Sequence, residues 1–202
     1  MKFFMIQLRR YDVRKLLLLI FAFILSTWSF SQSQALFWTY LDRRDWPAAI
    51  AEAEKCFKQD PNADLNKKIR LYYVIAMVIQ NKEEGLSVHA TNDLLKQQVG
   101  QVLYRETFLT RDKAQTGKTY ISPDNRTGYY GGDLDKSKLS KEQSIHMNFS
   151  CIFRQPVDFR RFVNLPCDII GVIKEVSIAM SNQFITLDLK LADADIRVDP
   201  YY

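Results

Sequence analysis

Five side chains in this sequence are soft metal ligands or nucleophiles by type: Cys56, Cys151, Cys167, His89 and His146. A structural zinc site wants four Cys or His ligands in closely spaced pairs. These five are scattered singly, so no metal and no other cofactor is expected. Cys151 and Cys167 flank the segment "IFRQPVDFRRFVNLP" and leave two readings open. One is a disulfide in an oxidising compartment; the other is a pair of buried free thiols, since cysteine is among the most buried residue types.

Other short motifs carry less. "QTGKTY", residues 115–120, has the tail of a phosphate-binding loop, but that loop needs a glycine where Asp112 stands, so it reads as a turn. "TGYYGGD", residues 127–133, offers Tyr129 and Tyr130 as weak candidates for stacking on a base or sugar; a hairpin tip explains the same residues. His146 lies in a strand pattern within reach of Ser150 or an Asp, without the sharp turn that exposes a catalytic nucleophile. Asp193 and Asp195 read as solvated charges. No catalytic residue is assigned, and the protein is expected not to be an enzyme.

The elements that must position these residues fall into two kinds. From about residue 100 the apolar period is two. "FITLDLKLADADIRV", residues 184–198, alternates Ile185, Leu187, Leu189 and Leu191 with polar residues, the mark of a half-buried strand. "CDIIGVIKEVSI" before it is rich in β-branched residues, and "SIHMNFSCIF" (144–153) and "VLYRETFLTRD" (102–112) are two further strands. "KTYIS" and "TGYYGG" supply shorter pieces, and Val157, Phe159, Phe162 and Val163 predict a short helix between strands. Strand, strand, strand, helix, strand, strand is the order of a five-stranded Greek-key barrel of the OB type.

The pieces "FSCIF", "VDFRRFVNL", "CDIIGVIKEVSI" and "FITLDLKLADADI" also resemble the bacterial tRNA-anticodon-like OB family over residues 98–199. Such barrels bind oligonucleotides, sugars or proteins, so the resemblance does not choose among ligands. Gly171 is expected where a strand must bend to close the barrel.

Upstream the period changes to helical. In "YLDRRDWPAAIAEAEKCFKQDPN", residues 40–62, Ala49, Ile50, Ala53, Cys56 and Phe57 share a face. Asp45 is a cap, Pro47 suits the first turn, and Asp60-Pro61-Asn62 stops the helix. This stretch resembles the second helix of a tetratricopeptide repeat, with Asp45, Trp46, Ala49, Ala53, Cys56, Asp60 and Pro61 in register and Arg44 in place of the usual turn glycine. Its partners are helices at about 32–43 and 65–82, and a further helix at 91–99 is capped by Thr91. One repeat cannot make a solenoid, so a short helical hairpin is expected.

The formal net charge is +5, and most of it lies in residues 1–15, where Lys2, Arg9, Arg10, Arg14 and Lys15 face only Asp12. The rest of the chain is almost neutral, which argues against a nucleic-acid surface. The basic segment leads into the uncharged "LLLLIFAFILSTWSF", residues 16–30, laid out as a secretory signal or, continued to residue 38, as an uncleaved membrane anchor.

The sequence therefore predicts an α+β protein in three parts: 1–35 signal peptide or anchor, 36–97 tetratricopeptide-like helices, 98–202 OB-like five-stranded barrel. The function expected is that of a non-enzymatic interaction module. It would be secreted to the periplasm or held in the inner membrane facing it, binding a protein partner of the envelope at the barrel face or the helix–barrel groove. A single-stranded nucleic-acid-binding protein is the first alternative and an envelope enzyme the second.

Overall fold

Helix α1 (residues 32–43) ends at Arg44, which adopts φ 61° at the position where a glycine was expected. A left-handed turn there swings the chain directly into α2 (Trp46–Gln59). Asp45 caps α2 as expected, its carboxylate accepting from the Ala48 N–H at 3.2 Å, and Pro occupies the first turn. The chain is described here from a computed structural model covering residues 32–133, 144–181 and 184–198. The apolar run expected as a signal or anchor, residues 16–30, lies outside these residues, whereas residues 32–38, to which the anchor was expected to continue, open α1 with Ser33, Gln34 and Phe37 buried in the protein core. Among the described residues no helix is long and apolar enough to cross a membrane.

Helix α3 (Asp64–Glu83) is the hub of the helical layer, buried on most of its circumference through Ile69, Val74, Ile75, Ala76 and Val78. Asn66 fixes its start: the buried amide donates to Cys56 O at 2.8 Å and accepts from Gln34 on α1 at 3.0 Å. Trp46 Nε1 donates to Glu83 at 3.2 Å, tying the start of α2 to the end of α3. Helix α4 (Val88–Leu95) begins a turn earlier than expected. Ser87 is the cap, accepting from Ala90 N–H, and Thr91 is buried inside the helix. Both residues cap well by type, so type alone did not choose between them.

The C-terminal part is a closed barrel of six strands, not five, in the order β1-β2-β3-β4-β6-β5. They are β1 (Val102–Thr110), β2 (Thr119–Ile121), β3 (Thr127–Asp133), β4 (Ser144–Phe153), β5 (Pro166–Met180) and β6 (Phe184–Val198). The extra member is the three-residue β2. It pairs parallel to the end of β1 (Leu109↔Thr119, Thr110↔Tyr120) and antiparallel to β3 (Tyr120↔Tyr129, Ile121↔Gly128). Without it the space between β1 and β3 would be open. The helix expected between β4 and β5 is a single 3-10 turn, Phe159–Phe162.

The β5–β6 register is irregular at two places, between Ile170 and Val172 and between Ile173 and Glu175. At the first, Gly171 on β5 faces an extra residue on β6, and a Cβ there would lie 3.0 Å from Leu191 Cβ and 3.2 Å from Ala192 O. On β6 the inward phase jumps from Leu191 to Ala194, with Asp193 at φ 49° between them. That single inserted residue leaves both Asp193 and Asp195 facing solvent.

Barrel and helices share one continuous apolar core, and their junction is stitched by polar groups. Arg70 donates to Val102 O at 3.0 Å and Gln98 Oε1 at 3.1 Å, its guanidinium lying 4.1 Å over the Phe57 ring. Asn92 on α4 makes two bonds to Ile178 of β5, donating to its O at 3.2 Å and accepting from its N–H at 2.7 Å. Asp64 accepts from Tyr104 OH at 2.6 Å and from Arg197 at 3.0 Å.

Candidate functional site

Adjacent residues of a strand face opposite ways, and this separates the two candidate tyrosines. Tyr130 points into the barrel and is 8% exposed, with the Arg105 guanidinium 3.7 Å over its ring. Tyr129 points out and is 51% exposed. Only Tyr129 can meet a ligand on the outer wall.

Beside it, residues 111–118 leave β1 and return to β2 as a folded loop. Asp112 shapes the loop, its backbone N–H donating to Thr110 Oγ1 at 3.0 Å and its carboxylate accepting from Ala114 N–H at 2.9 Å. Arg111 pins the base: it donates to Ile121 O at 2.9 Å, bonds to Ser122 O and Asn125 Oδ1, and lies 4.8 Å over the Phe159 ring. Gly117, at φ 78°, turns the chain back.

Between this loop and β3 lies an open cleft of about 500 Å³ lined by Lys113, Gln115, Thr116, Lys118, Tyr120, Tyr129 and Gly131. Lys113 Nζ sits 5.1 Å over the Tyr120 ring. Gly131 forms part of the floor, and a Cβ there would meet only Asn148 Oδ1, at 4.0 Å. A second recess of about 430 Å³ shares Tyr129 and Gly131 and continues over Asn148, Ser150, Asp188 and Lys190. Tyr129 is thus the ridge between two hollows. Among the described residues the cleft is lined by two lysines and two tyrosines and by no carboxylate, which makes it a receptor for a negatively charged, flat or apolar group. The lysines were missed in the sequence because nothing local announces that a loop will fold against a strand it precedes.

The remaining sequence candidates do not converge on this site. Cys151 and Cys167 are free, buried thiols. They lie on strands β4 and β5, which β6 separates, opposite Leu191 and Val198 of that strand. Burial pushes the Cys151 thiol up to about 12 and those of Cys56 and Cys167 up to about 11. Thiols held protonated in this way are poor nucleophiles. His146 pairs with Asp133, Nδ1 to Oδ1 at 3.2 Å, on the exposed end of β3 and β4. Ser150 shares its face but lies roughly 13 Å farther along the strand. Among the described residues no three His, Cys, Asp or Glu side chains group in a way that could hold a metal ion.

The chain matches no family model, no curated protein and no solved structure.

Proposed function

We propose that the protein is a non-enzymatic binding module of the cell envelope, exported or anchored through residues 16–30, whose OB-like barrel holds an acidic segment of a protein partner. The observation that carries this reading is the cleft of Lys113, Lys118, Tyr120 and Tyr129 on the outer wall of β2 and β3. The alternative surface, the helix–barrel groove, is filled by Arg70, Asn92 and Asp64 with their partners. The OB-like reading is supported by strand order. If β2 is taken as the continuation of β1, five strands remain, with a short helical turn between the third and fourth. A closed barrel of this kind presents its outer sheet and a loop above it as a receptor.

An acidic peptide fits the chemistry because lysines pair with its carboxylates while tyrosines cover an apolar side chain between them. Single-stranded nucleic acid is the second reading, favoured by the same pairing of cations with aromatic faces.

The test is affinity purification of the membrane-extracted full-length protein and of Gly131→Leu, which adds a side chain to the cleft floor where a Cβ would come no closer than 4.0 Å to Asn148 Oδ1. The wild type is expected to bring down a protein that survives nuclease treatment, and the variant to lose at least about tenfold of it. Equal recovery by both would move the binding surface elsewhere. Recovery abolished by nuclease would favour nucleic acid.

A further inference from the structure

At the opposite end of β1 from the helical layer, three apolar side chains stand in solvent: Phe108 (42% exposed), Val163 (45%) and Leu165 (39%). Scattered exposed apolar residues need no explanation, but these three come together. Phe108 is the register partner of Pro166, the residue after Leu165. The 3-10 turn packs against β1, and Leu165 N–H donates to Phe162 O at 3.2 Å, closing the turn. Asn164, at φ 59°, is its apex, so that Val163, Asn164 and Leu165 are exposed in succession.

Immediately before the apex, Arg160 and Arg161 are exposed, and Arg154 is exposed on the same connection. Against these three cations the connection carries one acid, Asp158. Its backbone carbonyl accepts from Arg161 N–H at 3.0 Å, and its side chain is exposed. The nearest acid on β1, Glu106, accepts from Lys68 at 2.7 Å. On β6 the exposed Asp193 and Asp195 flank Ala194, whose carbonyl accepts from Arg154 N–H at 2.8 Å, so Arg154 has acids beside it and Arg160 and Arg161 are the cations the turn presents.

We infer that the turn of residues 159–165, together with Phe108, docks on a lipid surface bearing anionic headgroups. The apolar tips enter the boundary between headgroups and acyl chains, and the arginines meet the phosphates with their stems lying along the apolar surface. A short turn with an apolar apex and cationic shoulders complements such a boundary, whereas the lysine and tyrosine cleft is built to receive a segment. The proposal uses none of the cleft residues, so it stands or falls independently of the function proposed above.

The experiment places an environment-sensitive dye on Val163→Cys in the full-length protein; the native thiols are buried, so the surface cysteine takes the label. His89→Cys, exposed on α4, is the reference position. Both are mixed with vesicles of phosphatidylcholine, with and without phosphatidylglycerol. The expected result is a blue shift at position 163 on the anionic vesicles only, with none at position 89. The pair Arg160→Glu and Arg161→Glu should raise the lipid needed for half the shift at least about tenfold. Leu165→Ser, which keeps the cations, should reduce the shift and serves as the test if charge reversal unfolds the protein. No shift at position 163, an equal shift on neutral vesicles, or a shift given by lipid-free envelope protein would each overturn the proposal.

Discussion

The barrel has two unlike walls. One, formed by β1, β5 and part of β6, is covered by α3 and α4 and locked to them through Arg70, Asn92, Tyr104 and Arg197. The other, formed by β2, β3 and β4, turns Tyr120, Tyr129, Asn148 and Ser150 outward beneath a folded loop. Side chains at the covered wall are fixed by their partners, and changes there should act on stability. Side chains at the bare wall have shape and charge but few such fixed partners, and changes there should act on binding.

Glycines give the widest separation between the walls. Gly171→Val forces a branched side chain against Leu191 Cβ and Ala192 O and is expected to cost about 2–4 kcal/mol, read as a lowered urea midpoint. Gly131→Leu on the bare wall should leave that midpoint unchanged within about 0.5 kcal/mol. Equal losses would erase the distinction. Next in size is Asn92→Ala, which strips the Ile178 N–H and C=O of a part-buried partner and should cost about 1–3 kcal/mol.

The interior between the walls offers a change of opposite sign. Arg105 is buried among Tyr130, Phe149 and Met147, and among the described residues its Nε has no hydrogen-bond partner. Arg105→Met should be neutral or stabilising by about 1–2 kcal/mol, seen as an equal or higher thermal midpoint. A loss of more than that would show the cation to be part of what holds the barrel together.

The smallest effect is electrostatic. The Tyr104 hydroxyl, with help from Arg197 and Lys67, holds the Asp64 carboxyl down at about 2. Because the folded value lies below the unfolded 3.8, the contribution is full above about pH 4 and is lost as pH falls toward 2. Asp64 is largely exposed, so solvent screening keeps it under about 1 kcal/mol. Asp64→Asn and wild-type stability curves should therefore differ at pH 6 and converge at pH 2. A constant gap would remove the carboxylate from the account.

Where the sequence carried a long periodic signal, the structure follows it. Strands β4 and β6 span the predicted residues because inward and outward positions alternate without a break from Ile145 to Phe153 and from Phe184 to Leu191, and α2 starts at its Asp45 cap. Gly171 falls at a register shift because a strand bent that tightly against Leu191 has no room for a Cβ. Strand β2 escaped a firm assignment since three residues cannot display a period. The 3-10 turn passed for a helix because Phe159 and Phe162 suit either geometry. At the site, the alternation rule itself separates Tyr129 from Tyr130, so half of that reading was accessible from adjacency alone. Lys113 and Lys118 were not, since their meeting with Tyr129 depends on a non-local pairing.

Strand β2 also has a dynamic consequence. Two register pairs on each side hold it, so its amides should exchange with deuterium ahead of those in β5 and β6. Tyr120 belongs at once to this weakest stave and to the cleft, paired with Tyr129 across it. An occupant that binds only when the stave is in place would slow exchange at Thr119–Ile121 in proportion to its concentration over its dissociation constant, making the closing strand a built-in reporter of occupancy.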